Sequence, residues 1–126
     1  MSRPVPHLAL TPTDQRLTIT ADDRDTDVGG NMSHVYDIAF DRDNNGYIST
    51  QRIEFQRGPV KEVGVNGITN EALIAIVIDR LKGAQEGPFA SADNADAIMH
   101  LEAASEALAR RTRDRMARGV EGQSKA

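Results

Sequence analysis

The sequence predicts an α+β protein in which an N-terminal antiparallel β-sheet or hairpin precedes a C-terminal antiparallel two-helix hairpin. Residues 15–57 hold short runs rich in Val, Ile, Tyr, Phe and Thr, separated by turn-forming residues. Residues 70–119 hold long helix-forming stretches with capping signals at both ends. The chain of 126 residues has two Tyr, three Phe and no Trp. Such a thin core predicts an oligomer that shares its core between subunits.

The composition excludes several classes of function. The chain has no Cys, which rules out a disulfide framework, a thiolate nucleophile and a Cys-ligated metal centre. No run approaches the roughly 18 apolar residues of a membrane span, and the opening segment lacks the apolar core of a signal peptide. We therefore expect a soluble intracellular protein without a membrane partner. The net charge of -4 disfavours general binding to nucleic acid.

The N-terminal part combines an arm with the first short β run. Residues 1–14 include three prolines, which remove backbone donors, so the arm is predicted to hold at most one short edge strand. The β-rich region begins with an alternating run over 17–20. An Asp- and Gly-rich surface loop follows over 21–31.

Two longer strands, over 32–41 and 47–56, are predicted to form a hairpin. The turn formers Asp-Asn-Asn-Gly at 43–46 separate them, and Asn and Gly supply the positive φ values that such a turn needs. The loop that begins at Asp41 also resembles a calcium loop. However, Arg52 stands where that motif requires a bidentate Glu, and the flanks are strands rather than helices. A plain hairpin turn is therefore favoured, and no metal site is predicted.

A glycine-rich connector over 58–69 leads to the first of two predicted helices. This helix spans about 70–85, because Thr69 is a suitable N-cap, Glu71 lies near the helix start, and Gly-Pro at 87–88 stops it. Its apolar residues surround most of its circumference. The first helix is therefore expected to be covered on more than one side.

The second predicted helix begins after the N-cap Ser91 and continues to Arg118, where Gly119 stops it. Together the two helices form a hairpin over 70–119, and residues 120–126 form a tail. One face of the second helix carries a stripe that is apolar in the middle and polar at both ends. The stripe consists of residues 94, 98, 101, 105, 108, 112 and 115.

The second helix is predicted to extend past the first. At about 1.5 Å per residue it is roughly 40 Å long, against roughly 24 Å for the first helix. The extension holds five arginines and one aspartate within 110–118, a local charge of +4 against -8 for the rest of the chain. Arg111, Arg115 and Arg118 lie on one face, and grouped guanidinium groups suit bidentate contacts with phosphate. A solvated helix end that favours the helix dipole is the alternative.

Other candidate sites are weaker. The glycine-rich stretches 64–67 and 87–89 precede the two helices and could offer backbone amides to an anion, but neither has the Gly-Lys-Ser/Thr of a P-loop. The three histidines are scattered without metal-ligand spacing, and no paired carboxylates lie in an apolar setting. No catalytic residue, cofactor or metal is predicted.

Three segments between Phe55 and Gly122 resemble a known family, the helical-hairpin domain of phage proteins that sequester immune signalling nucleotides. The segments are FQRGPVKEVGVNGITNEALIAIVIDRLKG, EGPFASADNA and RRTRDRMARGVEG. The family includes Thoeris anti-defence and CBASS anti-defence sponges. Because β signals precede the hairpin, the chain resembles the Thoeris-directed members.

The resemblance implies a non-enzymatic sponge in the host-cell cytoplasm that blocks activation of Thoeris or CBASS effectors. Its partners would be cyclic ADP-ribose isomers such as glycocyclic ADP-ribose, and also cyclic di- or trinucleotides at separate sites. Ala84 stands where relatives carry an aromatic residue, and Ala107 where they carry Trp. The resemblance, the arginine face and the turn before the second helix together predict the ligand-binding residues Asn94, Arg111, Arg115, Arg118, Phe89 and Ala84.

One predicted site requires two chains. Asn94 and Arg111 lie 17 residues apart on one helix, about 25 Å, which is too far for both to contact one small nucleotide. Antiparallel two-fold pairing of the second helices would form two equivalent pockets, so a dimer or a dimer-based assembly such as a hexamer is expected. The alternative function is a small phage DNA-binding regulator that uses the basic helix, although the acidic remainder disfavours nucleic acid.

Overall fold

The computed structural model describes residues 2–27 and 30–123. Residue 1 of the predicted arm, residues 28–29 of the predicted surface loop and residues 124–126 of the predicted tail lie outside the described residues. Within the described ranges the α+β prediction is confirmed, because a four-stranded antiparallel sheet precedes two long helices.

The chain divides into two compact units. The sheet unit comprises Met1–Gly58 and Val65–Gly67, and the helical unit comprises Pro59–Gly64 and Ile68–Ala126. The glycine-rich connector therefore contributes residues to both units.

The connector contains local structure that the sequence did not predict. A single helical turn, α2, spans Val60–Val63. Gly67 approaches the backbone of Phe55 so closely that a Cβ on Gly67 would lie 2.4 Å from the Phe55 carbonyl carbon. Asn66 pairs with the backbone of Arg57: its Oδ1 accepts from the Arg57 N–H at 2.8 Å, and its Nδ2 donates to the Arg57 carbonyl at 2.8 Å. Glycine is required at position 67 because any side chain would collide with the neighbouring backbone.

The sheet is an antiparallel meander whose strands lie in chain order. Its strands are β1 (Arg3–Pro4), β2 (Thr18–Ala21), β3 (Val35–Asp41) and β4 (Ile48–Glu54). β1 confirms the single short edge strand predicted for the Pro-rich arm. All pairings are antiparallel, so short connections suffice.

A short helix, α1 (Pro12–Arg16), lies between β1 and β2 and was not predicted. Thr11 is its N-cap, since the Thr11 hydroxyl accepts a hydrogen bond from the Asp14 N–H at 3.1 Å. Pro12 occupies the first helical position, where the missing N–H costs nothing. Pro12, which disfavours a strand, is therefore compatible with the start of this helix.

The predicted β3–β4 hairpin is confirmed, with a register that runs from Val35 opposite Glu54 to Asp41 opposite Ile48. In its turn Asn44 and Gly46 have φ values of 56° and 89°, the positive values expected of Asn and Gly there. The Asp41 carboxylate accepts the backbone N–H of Asn45 at 3.0 Å and that of Gly46 at 2.7 Å. The oxygen ligands of the calcium-like pattern thus stabilise a turn between strands.

The interior of the sheet unit is largely polar. Its most buried residues are Ala21, Ser33 and His34, with 1%, 6% and 3% of their surfaces exposed. The Asp22 carboxylate accepts the backbone N–H of His34 at 3.0 Å, and the Ser33 hydroxyl donates to the Asp22 carbonyl at 2.8 Å. β3 begins at Val35, three residues later than predicted.

The helical unit contains the two predicted helices, α3 (Asn70–Gln85) and α4 (Ala92–Ala117). Both predicted N-caps are confirmed: the Thr69 hydroxyl accepts from the Ala72 N–H at 3.1 Å, and the Ser91 hydroxyl accepts from the Asn94 N–H at 3.0 Å. α3 has 16 residues and α4 has 26, so the predicted difference in length is also confirmed.

Burial along the helices matches the predicted stripe. All seven stripe residues of α4 are half-buried, and α3 packs against α4. On α3, Ile76 and Val77 remain exposed over 57% and 45% of their surfaces. One chain therefore leaves part of the apolar circumference of α3 uncovered. Among the described residues, no helix is long and apolar enough to cross a membrane.

Candidate functional site

The six predicted ligand-binding residues all lie in the helical unit, in two groups. Ala84, Phe89 and Asn94 lie at the connection between α3 and α4, here named the turn end. The other group lies at the C-terminus of α4, here named the arginine end, and consists of Arg111, Arg115 and Arg118. Because one continuous helix joins Asn94 to Arg111, the two groups are roughly 25 Å apart. A single chain does not bring them together.

The turn end is built from amide groups. The Asn94 side-chain Nδ2 donates to the Phe89 carbonyl at 3.1 Å, and the Phe89 ring is 80% exposed. The Gly87 N–H donates to the Ala84 carbonyl at 3.2 Å, which places Ala84 at the last turn of α3. Asn94 is thereby held half-buried beside an exposed aromatic ring. The Asn94 amide and the Phe89 ring are neutral groups that offer hydrogen bonding and stacking.

Gln85 is a structural residue of the turn end that the sequence did not reveal. Its Nε2 donates to the Ser91 carbonyl at 3.0 Å, and its Oε1 accepts from the Ser91 N–H at 2.8 Å. This pair of bonds closes the turn and fixes the residue that caps α4. A polar residue in the last turn of one helix, opposite the cap of the next, is the signal that could have indicated it.

At the arginine end, the helix stop predicted at Gly119 is confirmed. Gly119 has φ 71°, its N–H donates to the Met116 carbonyl at 3.0 Å, and the Val120 N–H donates to the Arg115 carbonyl at 2.9 Å. These two bonds form a Schellman motif, which requires the left-handed conformation that glycine adopts most easily. The chain therefore reverses direction and returns over α4.

The returning segment, residues 119–123, is here named the C-terminal turn, and Arg115 holds it. Arg115 Nε donates to Glu121 Oε2 at 3.0 Å, and its Nη2 donates to the carbonyls of Val120 and Gln123 at 2.9 and 3.0 Å. The Arg115 side chain is only 18% exposed. The sequence placed Arg115 on a face beyond the cover of α3 but did not predict that the tail would cover it.

The remaining arginines differ in how strongly they are paired. Arg118 Nε donates to Asp114 Oδ2 at 2.9 Å, and Arg113 donates to Glu106 at 2.8 Å. The hydrogen bond and the charge of Arg113 lower the pKa of Glu106 below its ordinary value. Arg111 is exposed and makes no hydrogen bond or ion pair within residues 2–27 and 30–123. Of the three arginines predicted to bind the ligand, Arg111 is therefore the one whose guanidinium group an anion can reach without displacing an acid.

The last glycine of the RGVEG ending also has a structural role. Gly122 has φ 78°, and its carbonyl accepts the Lys61 N–H at 3.1 Å. A Cβ on Gly122 would lie 3.0 Å from the Lys61 Cγ. The segment from Arg115 to Gly122 thus forms one connected arrangement that joins α4 to α2.

The sheet unit holds a cavity of about 620 Å³ that the sequence did not predict. Residues 20–27 supply most of its lining, and the rest comes from Ser2, β3, β4 and Arg57. Five aspartates and three arginines line it, and Arg52 and Arg57 already pair with Asp37 and Asp25 at 2.9 and 3.0 Å. The excess of carboxylates makes this cavity a poorer site for phosphate than the arginine end. Among the described residues, no group of side chains is placed to hold a metal ion.

The architecture defines a class of protein, in which an antiparallel sheet precedes a two-helix hairpin with amides at one end and guanidinium groups at the other. The family model described as Acb2/Tad1, hairpin domain, matches residues 48–113, just over half of the chain. The chain therefore belongs to the Acb2/Tad1 hairpin family. This confirms the resemblance found in the sequence.

Among characterised relatives, the chain is similar to "Thoeris anti-defense 1" of Bacillus phage SBSphiJ7. The two are 48% identical over 81 residues, which cover 64% of this chain and 56% of that protein. The match therefore spans little more than half the length of the relative. It supports the Thoeris type within the family, as the β-rich region predicted.

Proposed function

We propose that this protein is a phage anti-defence protein that binds and sequesters a cyclic nucleotide immune messenger in the host-cell cytoplasm without cleaving it. Its family and the name of its relative support an anti-Thoeris role. The observation that carries the proposal is the arginine end, where Arg111 is exposed, has no partner among the described residues and lies one helical turn from Arg115. Guanidinium groups at this spacing suit a diphosphate, which accepts bidentate hydrogen bonds.

The ligand class that fits both ends of the hairpin is a cyclic ADP-ribose isomer such as glycocyclic ADP-ribose. Its diphosphate would contact Arg111, Arg115 and Arg118, and its base would hydrogen-bond to Asn94 and stack on Phe89. Ala84 contributes a small apolar surface at the end of α3. Cyclic di- or trinucleotides are proposed as further ligands at separate sites.

The proposed pocket is shared between two copies of the chain. Because the two ends lie roughly 25 Å apart on one helix, Asn94 of one copy must meet Arg111 of another for both to touch one ligand. Antiparallel pairing of two α4 helices satisfies this and forms two equivalent pockets. The exposed Ile76 and Val77 of α3 offer apolar surface for such an assembly, either a dimer or a dimer-based hexamer.

The test is calorimetric titration of the protein with glycocyclic ADP-ribose, cyclic ADP-ribose isomers and cyclic trinucleotides, with recovery of the ligand after denaturation. We expect binding in the nanomolar range for one of these ligands and unchanged ligand on recovery. Arg111→Ala should weaken binding at least tenfold because it removes an unpaired phosphate contact. Arg113→Ala is the matched control, since it removes the same charge from a guanidinium group already paired with Glu106. Recovery of a cleaved product, or equal losses in both variants, would contradict the proposal.

A second candidate function, binding of duplex DNA by the basic helix end, has support in the exposed Arg110 and Arg111. It is less favoured because Arg113, Arg115 and Arg118 each pair with an acidic side chain. DNA binding through several phosphates would weaken steeply with salt, and this dependence distinguishes it from capture of a small nucleotide.

A further inference from the structure

The Arg115 guanidinium makes two different kinds of bond in the C-terminal turn. Its Nε faces a charged acceptor, the Glu121 carboxylate, at 3.0 Å. Its Nη2 faces two neutral acceptors, the carbonyls of Val120 and Gln123, at 2.9 and 3.0 Å. A carboxylate and a phosphate oxygen make the same charge-assisted bond to a guanidinium group, so either anion could occupy the Nε position.

We infer that Glu121 is an internal competitor of the anionic ligand. In the ligand-free protein its carboxylate occupies the edge of Arg115 that a ligand phosphate takes over on binding. Glu121 thereby determines the affinity of the site. This inference rests on the proposed function, because it requires Arg115 to be part of an anion site.

The contacts around Arg115 permit this exchange without unfolding the C-terminal turn. The Glu121 side chain is 43% exposed, so its carboxylate can return to water by rotating its own side chain. The turn stays closed by main-chain bonds that do not involve Glu121: the Val120 N–H donates to the Arg115 carbonyl, and the Gln123 N–H donates to the Val120 carbonyl at 2.9 and 3.1 Å. The two Nη2 bonds keep the guanidinium group oriented. Of the three hydrogen bonds of Arg115 described above, only the one to Glu121 changes.

The competition also favours ligands of higher charge. A neutral ligand gains nothing from displacing Glu121, because it would exchange a charge-assisted bond for a weaker one. A diphosphate replaces the bond and adds contacts to Arg111 or Arg118. Glu121 therefore lowers the affinity for every anion but excludes weakly charged molecules most strongly.

The experiment compares Glu121→Gln with Glu106→Gln by titration with glycocyclic ADP-ribose. Gln keeps the size of Glu and still accepts from Arg115 Nε, but it lacks the charge. We expect Glu121→Gln to bind about three- to fivefold more tightly, the effect of removing one partly exposed ion pair. Glu106→Gln removes the same charge from a pair at the same helix end, between Arg113 and Glu106, and should leave the affinity unchanged.

Three results would overturn the inference. Equal tightening in both variants would show a general charge effect. Unchanged or weaker binding by a folded Glu121→Gln variant would show that Glu121 does not compete. If the wild-type protein binds no cyclic nucleotide, the proposed function fails, and inorganic pyrophosphate then tests the inference by itself. The ¹⁵N resonance of Arg115 Nε should shift when pyrophosphate is added, and the shift should occur at lower concentration in Glu121→Gln than in wild type. If pyrophosphate leaves this resonance unchanged in both proteins, the competition is rejected.

Discussion

At each end of the helical hairpin, one side chain bonds the backbone of a segment that reverses direction. The bonding side chain is neutral at the turn end and charged at the arginine end. At the turn end, Gln85 holds the backbone of Ser91 through two neutral hydrogen bonds. At the arginine end, Arg115 holds the backbone of Val120 and Gln123 through two bonds and adds an ion pair with Glu121. In both cases a side chain of one segment satisfies main-chain groups of a segment that reverses direction.

This difference suggests different roles for the two closures: the one at the turn end positions neighbouring side chains, and the one at the arginine end includes a group that would bind the ligand. The closure at the turn end is made by neutral groups, Gln85 and the Ser91 backbone, so it is suited to hold Asn94 and Phe89 in place. The charged closure at the arginine end couples stability to charge, because Arg115 stabilises the C-terminal turn with the same group that would contact phosphate. A mutation of Arg115 should therefore affect folding and binding together.

The largest effect is expected for Arg115→Ala. This change removes three hydrogen bonds, one of which is also the ion pair with Glu121, from a side chain that is 18% exposed. The Gln123 carbonyl loses its Arg115 donor, and the Val120 carbonyl keeps only the Gln123 N–H. We expect a loss of about 2–3 kcal/mol in the free energy of unfolding, measured by urea denaturation. Arg113→Ala, at an exposed ion pair on the same helix, should change stability by less than about 0.5 kcal/mol. Similar values for the two variants would show that Arg115 does not hold the C-terminal turn.

Local signals allowed most of the fold to be predicted. The caps Thr69 and Ser91 and the stop at Gly119 fix the helix bounds through bonds within a few residues, and such bonds can be recognised in a sequence. The turn over 43–46 could be recognised in the same way, because its Asn and Gly residues and its bonds to Asp41 lie within a few positions. By contrast, α1 was missed because Pro12 was interpreted as a breaker rather than as a first helical residue.

The site was harder to predict because no short sequence pattern indicates the contacts that define it. The spacing of Arg111 and Arg115 on one helix could be read from the sequence. That the chain returns after Gly119 and brings Glu121 onto Arg115 depends on the tertiary course of the tail, which also meets Lys61 of α2. The cavity of the sheet unit likewise depends on the fold, which brings residues 20–27 beside Asp37, Arg52 and Arg57.

A smaller effect, of opposite sign at the two ends, is expected from replacing glycine by alanine. Gly119→Ala forces a side chain into φ 71°, so we expect a loss of about 1 kcal/mol in the free energy of unfolding. Gly83→Ala lies inside α3 in an ordinary helical conformation with nothing within 4 Å of the added Cβ, and should stabilise by about 0.5–1 kcal/mol. Thermal and urea denaturation of both variants check the signs. A stabilising Gly119→Ala would contradict the role of the left-handed stop.

The smallest effect concerns pH, and it tests one charge-dependent contribution to stability, the ion pair between Glu106 and Arg113. Arg113 lowers the pKa of Glu106, so the folded protein holds the charged carboxylate more strongly than the unfolded chain does. The stabilisation is therefore fully present above the ordinary pKa of about 4.5 and is lost as the pH falls through the lower folded value. We expect the difference in Tm between wild type and Glu106→Gln to be small at pH 7 and to disappear on acidification below that range. Glu102→Gln removes a carboxylate from the same helix whose partner, Lys82, lies farther away at 3.4 Å, and should give a still smaller difference. A Glu106→Gln difference that grows as the pH falls would reverse the sign and show that the Arg113 pair does not stabilise this end of the hairpin.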